Sequence, residues 1–228
     1  MAPYFGLYIV CSDQHRNGKT LLARALVDAL LLEDRDPFAI DLNVPDGTLR
    51  GHFPGRTALA DFSHVTGQMR AFDTIMAAPG RDYVIDVPVE DLPRFCDAAR
   101  SLRLIEEARR TGLRIVVFFI VDRAEESLRN ASHVEAILAP DLFVPVRNMM
   151  IGSALPADYG GLSLTLPVLD PELRDIISNR RFSLRAFFLG DESPVPLRLR
   201  ANLRAFLHAV IDTLRDVEPA LSLQTLRR

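Results

Sequence analysis

The sequence predicts an α/β protein, with a doubly wound, mostly parallel sheet and helices on both faces. Three observations carry this. Short apolar runs rich in Val, Ile and Phe recur along the chain. Segments with leucine and alanine at helical spacing lie between them. The run at 114–121, RIVVFFIV, is apolar on both faces after its first residue, as a central strand covered on both sides must be. Alternation of this kind calls for parallel strands joined by helical crossovers. At 228 residues and 48% hydrophobic content the chain can build one large core. The expectation is a single domain over 1–228, with a helical C-terminal part from about 171 to 228.

The elements follow in order. Residues 4–10 read as the first strand, and 19–33 (KTLLARALVDALLLE) as a strong helix. Residues 38–41 form a short second strand. The stretch 56–78 has mixed helical character and closes at Pro79-Gly80. Residues 83–87 are a third strand, and 92–111 a helix ended by Gly112. Then come the strand 114–121, a helix at 124–138, and strands at 142–146 and 163–168. Helices at 171–178 and 197–215 complete the chain, with a linker-like stretch at 190–196 before the last.

Composition excludes several classes. Net charge is -3, so the whole chain is no polycation and constitutive, tight nucleic-acid binding is not expected. Cys11 and Cys96 have no metal-ligand spacing and read as small core residues in a reducing, cytoplasmic setting. No apolar run approaches the roughly 20 residues that span a bilayer. No secretory leader pattern opens the chain.

The chemistry concentrates after the first strand. Lys19 is the only lysine in the sequence, and every other permanently cationic side chain is arginine. A composition that replaces lysine by arginine wherever the two are interchangeable keeps lysine where they are not. A thin-stemmed ammonium reaches into a tight phosphate loop, and a flat guanidinium does not. Lys19 stands in Asn17-Gly18-Lys19-Thr20, between a strand and a helix, which is the context of a phosphate-binding loop. Lys19 would reach the β- and γ-phosphates of a nucleotide, Thr20 would ligate Mg²⁺, and Gly18 would allow close backbone approach. His15, Arg16, Asn17 and Leu21 complete the candidate loop. The full pattern G-x-x-x-x-G-K-[ST] is not met, because Asp13 occupies the place of its first Gly. Asp41 and Asp86 end the second and third strands, where carboxylates line the same crevice and can hold Mg²⁺ through its waters.

In motif order the chain resembles the MinD/ParA group of P-loop ATPases, whose phosphate loop is a deviant one. That family reads K-G-G-x-G-K-T after strand one, Asp-x-Asp after strand two, and Asp-Tyr-hydrophobic-hydrophobic-Asp-x-Pro at strand three. The matching stretches here are Gln14-His15-Arg16-Asn17-Gly18-Lys19-Thr20, Asp41-Leu42-Asn43 and Asp82 to Pro88. The likeness runs from residue 4 to about 168. It implies ATP and Mg²⁺ as ligands, with Lys19 and Thr20 on phosphate and metal and Asp41 and Asp86 around the metal. It also implies that Asn148, after a late strand, faces the adenine base, and that the protein works as a homodimer which engages a protein partner or DNA. The departures are informative. The family's early loop lysine falls at Gln14, and its two glycines fall at His15 and Arg16, with Arg16 a substitute source of cross-dimer positive charge. Its water-positioning Asp falls at Asn43. An amide holds a water but accepts no proton, so hydrolysis is expected to be slow or absent.

Two other readings stay open. Ser12-Asp13 before Gly-Lys-Thr also resembles ATP-dependent dethiobiotin synthetase, with a spacing one residue longer. A synthetase or kinase of that type would need an acceptor pocket near 45–53 or 87–94. A degenerate, non-catalytic interaction module is the third reading. From residue 171 onward ten arginines face seven acidic residues. Arg180, Arg181, Arg185, Arg198, Arg200 and Arg204 are candidates for a non-specific DNA contact, against the plainer reading of a solvated helix surface.

Overall fold

The computed structural model describes residues 4–153, 155, 159–191 and 193–226. Its strands are β1 (Phe5–Cys11), β2 (Phe38–Asp41), β3 (Thr57–Leu59), β4 (Tyr83–Asp86), β5 (Leu113–Val121), β6 (Leu142–Asn148) and β7 (Leu164–Leu166). Its helices are α1 (Lys19–Leu32), α2 (Thr48–His52), α3 (Val65–Ala77), α4 (Leu92–Ser101), α5 (Leu104–Arg110), α6 (Glu125–Leu138), α7 (Pro171–Ser178), α8 (Leu184–Leu189) and α9 (Leu197–Leu226). The strands form one sheet in the order β3-β2-β4-β1-β5-β6-β7, and every neighbouring pair is parallel.

Period-two alternation divides the core into two layers. Tyr8 and Val10 of β1, with Val116, Phe118 and Ile120 of β5, face one cluster that includes α1, α7, α8 and α9. Leu7, Ile9 and Cys11 of β1, with Ile115, Val117 and Phe119 of β5, face a second cluster that includes α3, α4, α5 and α6. The central strands are therefore buried on both sides. Cys11 and Cys96 are both free and buried in the second layer.

Several elements differ from the sequence expectation. The stretch 56–78 holds an edge strand, β3, before α3 begins at Val65. Only three residues of it pair with β2, too few to leave a period in the sequence. The expected helix at 92–111 is two helices. Arg103, at φ 52, breaks them. The break resets the helical phase. In an unbroken helix Leu104 would point about 180° away from Phe95, yet both are buried in the second layer. Neither Gly nor Pro marks the break, so no local signal announces it. The last helix extends past 215 to Leu226 with Pro219 inside, because Val217 and Leu221 still bury against the first layer. Helices α2 and α8 were not anticipated. In the expected linker at 190–196, Gly190 closes α8 at φ 91 and Val195 is buried, while Glu192 lies outside the described residues.

Arg24 fastens α1 to the C-terminal helices. It is buried, and its guanidinium donates to the carbonyls of Ile177 and Phe182. Burial pushes it down to about 10 and pushes Asp28, one turn further along α1, up to about 6. Desolvation outweighs their mutual attraction. The value of Arg24 is then in the two carbonyls it satisfies and the carboxyl it offsets. Arg24→Met should therefore lower unfolding stability by about 3 kcal/mol, a fall of roughly 6–12 °C in melting temperature for a chain this long.

Candidate functional site

The site lies where the strand order reverses about β1, at the C-terminal edge of the sheet. In open α/β sheets this crevice is where ligands bind. Four strand ends contribute. The loop from Ser12 to Gly18 follows β1, Asp41 ends β2, Asp86 ends β4 and Asn148 ends β6.

Gly18 sits at φ 97 immediately before α1 and provides no side-chain cap. A left-handed backbone favours glycine. The space is tight as well, because a Cβ there would lie 3.2 Å from the Asn148 amide nitrogen. The first-turn N–H groups of α1 thus open onto a cavity of about 370 Å³ lined by residues 15–21, Asn43 and residues 88–90. Uncapped N–H groups and a helix dipole favour an anion at this point.

Lys19 is buried beside the cavity, with Nζ 2.7 Å from the Gln14 carbonyl and 3.3 Å from Asn17 Oδ1. Burial lowers its pKa, while the Asp86 carboxylate opposes the fall. Inside the loop, Asn17 donates to Ser12 Oγ, which also accepts from Gln14 N–H at 3.0 Å. Gln14, His15 and Arg16 are exposed, the last two lining the cavity, and Arg16 has a left-handed backbone at φ 52. Asn148 is buried. Its Nδ2 donates to the Asn17 carbonyl at 2.8 Å, and its Oδ1 accepts from Met150 N–H at 3.0 Å. It therefore ties the loop to β6. Leu21 lines the cavity from the first turn of α1.

Asp41 and Asp86 are register partners on β2 and β4 and are fully buried. Both oxygens of Asp41 are engaged: Oδ1 by the Asn43 backbone and side-chain N–H groups, Oδ2 by the Leu49 and Arg50 N–H groups at the start of α2. Asn43 Nδ2 also donates to Asp86 Oδ2 at 2.9 Å, and Thr20 Oγ1 donates to the same oxygen at 2.6 Å. Asp86 Oδ1 is buried with no hydrogen-bond partner. Burial, reinforced by Asp41 and opposed by Thr20, raises Asp86 to about 7.

A divalent cation fits this donor set. Among the described residues no group of three or more His, Cys, Asp or Glu side chains could cage a metal. Mg²⁺ does not require one, since it keeps several waters and shares its remaining positions with phosphate oxygens. The orphaned Asp86 oxygen beside the Thr20 hydroxyl supplies the oxygen chemistry it prefers. Asp41 would act only through Asn43 or water, because its lone pairs are already taken.

Other roles were not visible in the sequence. Asp13 accepts from Ser127 Oγ at 2.8 Å and from Asn130 Nδ2 at 2.9 Å, so it pins the loop to α6. Glu90 enters the cavity from the turn after β4, with Oε1 3.4 Å from His15 Nδ1. His52 is held near Arg24 and Arg180, and burial lowers it to about 4. Three of the C-terminal arginines have local partners: Arg198 pairs with Glu172, Arg200 donates to the Val195 carbonyl, and Arg204 lies over the Phe187 ring. Arg180 sits against Gly51.

The fold is the one found in MinD cell division protein. A MinC:MinD cell division protein complex from Aquifex aeolicus is similar over 94% of this chain and 96% of that chain, with a TM-score of 0.57 at 17% identity. MinD cell division protein from the same organism gives a TM-score of 0.58 at 15% identity, over 94% and 97% of the two chains. A nucleotide-binding protein in complex with ADP from Archaeoglobus fulgidus gives 0.50 at 12% identity, over 78% and 87%. No protein-family model matches the sequence, and no curated protein matches it. No helix among the described residues is long and apolar enough to cross a membrane.

The raised Asp86 carboxyl has a measurable consequence. Its folded-state value lies above the ordinary one, so the folded protein holds the proton more tightly. Its contribution to stability is then lost as pH rises from about 4 to about 7. Asp86→Asn should raise the melting temperature of the ligand-free protein at pH 8 by a few degrees, as for about 1 kcal/mol. It should also flatten the stability profile across that window. A mutant no more stable than the wild type would show that the buried charge is compensated.

Proposed function

We propose that this chain is an ATP-binding P-loop protein of the MinD/ParA type, a nucleotide-dependent dimerisation switch in which hydrolysis is slow or absent. The observation that carries the reading is the only lysine of the chain, buried at an uncapped helix start inside a cavity of about 370 Å³. The amides of Gly18 to Leu21 and the Lys19 ammonium would hold the β- and γ-phosphates, with His15, Arg16 and Asn17 around them. Thr20 and Asp86 would hold Mg²⁺, with Asp41 behind Asn43. The ion would neutralise charge on the bridging phosphate oxygens. Asn148 would sit behind the loop toward the adenine.

The switch is supported by what Asp41 and Asp86 already hold. Asn43 donates to both carboxylates, and Asp41 accepts from the start of α2. A nucleotide that engages Thr20 and Asp86 would act on the same bonds that place α2. Slow turnover is supported by the chemistry of Asn43, whose amide cannot receive the proton of an attacking water. Gln14, His15 and Arg16 lie exposed, where a second copy would meet them. Engagement of a protein partner would follow dimerisation.

Mg-ATP at 100 times its Kd should stabilise the protein by about 2.7 kcal/mol, several degrees in melting temperature. Lys19→Ala should lower ATP affinity at least tenfold, about 1.4 kcal/mol, and remove that shift. A non-hydrolysable ATP analogue should double the particle mass in light scattering. Unchanged affinity in Lys19→Ala would overturn the phosphate-loop assignment, and an unchanged mass would overturn the dimer.

A further inference from the structure

Among the described residues one carboxylate lines the cavity, and it is not one of the strand-end aspartates. Asp41 and Asp86 are buried beneath the cavity and do not line it. Glu90 does, from the 3₁₀ turn Val89–Asp91 that follows β4. Its neighbour Asp91 is turned away and paired with Arg94 at 3.0 Å. Glu90 faces the phosphate loop, where His15 Nδ1 lies 3.4 Å from its Oε1. It is also near enough to Lys19 to favour the charged ammonium. Lys19 and Glu90 therefore line the same cavity.

A carboxylate is a poor neighbour for polyphosphate unless it does something there. Like charges repel, and a cavity built only to bind an anion would gain nothing from a carboxylate among its lining groups. Asn43, which also lines the cavity, has both amide hydrogens committed to Asp41 and Asp86. Its remaining oxygen can accept a hydrogen bond from a water but not the water's proton. The cavity thus offers an amide that can place a water and a carboxylate that can take its proton.

We propose that Glu90, oriented by His15 of the phosphate loop, is a catalytic base for attack of water on the γ-phosphate of bound ATP. The inference rests on the nucleotide reading above. The water oxygen forms a bond to the γ-phosphorus as the bond from that phosphorus to the β,γ-bridging oxygen breaks. The bond's electron pair leaves on the β-phosphate, giving ADP and inorganic phosphate. The water's proton passes to a Glu90 carboxylate oxygen and then to solvent. His15 is a positioning residue in this scheme, because it touches Glu90 rather than the reacting atoms.

The test measures two quantities on the full chain: ATP affinity by calorimetry with Mg²⁺ present, and phosphate release followed for hours with protein in excess. Glu90→Gln should bind ATP as tightly as the wild type or more tightly, since a negative charge has left the cavity. Its turnover should fall about 100-fold. Glu90→Asp keeps a carboxylate one methylene shorter and should retain part of the rate. Wild-type turnover in Glu90→Gln would overturn the proposal. So would affinity lost in step with rate, which would make Glu90 a binding group. A wild type that binds ATP without releasing phosphate would overturn the proposal and leave the nucleotide reading standing. A wild type that binds no ATP would overturn both.

Discussion

The geometry of this molecule depends on how one buried carboxylate is satisfied. Asp86 ends β4 and lies beside Asp41 on β2 in parallel register. Two adjacent carboxyls out of reach of water are costly unless donors meet them. Three segments supply those donors: Thr20 from the start of α1, Asn43 from the loop after β2, and the first N–H groups of α2. The start of α1, the β2 to α2 loop and the two strand ends are thereby held at a common point. One oxygen of Asp86 remains without a donor. That oxygen is the one the proposed cation would take.

The loop departs from glycine-rich phosphate loops in a consistent way. A left-handed backbone at Arg16 costs about 1–2 kcal/mol for a residue with a side chain. A loop with fewer glycines must be held in shape by something else. Asp13 ties it to α6, and Asn148 ties it to β6. Ser12 and Asn17 close it internally. Flexible backbone has been exchanged for polar anchors from the neighbouring elements.

Much of the fold was legible because its signals are local. The apolar runs and helical spacings from β1 to β6 need only a window of a few residues. The motif around Lys19 needs only the strand before it and the helix after. The split at Arg103 depends instead on which faces of α4 and α5 meet the sheet, and β3 is too short to show a period. In the site, Lys19 and Thr20 at the start of α1, Asn43 in the loop after β2 and Asp86 at the end of β4 converge at the C-terminal edge of the sheet, as the strand order implies. The anchoring of Asp13 depends on Ser127 and Asn130, which lie 114 and 117 residues away in the chain. No pattern near residue 13 points to them. Arg24 and Asp28 were an overlooked local clue, two charged residues a turn apart on a helix that is otherwise apolar after Thr20.

The solitary lysine also changes how the protein can be interrogated. Its side-chain amine chemistry is confined to one atom, and that atom lies against the Gln14 carbonyl in the loop after β1. Any reagent selective for side-chain amines, whether an acylating dye or a reductive methylation label, reports on this loop alone. Its rate measures how often the loop opens to solvent, and an occupant of the cavity reads out as protection. A bulk labelling reaction, uninformative on most proteins, becomes here a single-site measurement of loop dynamics.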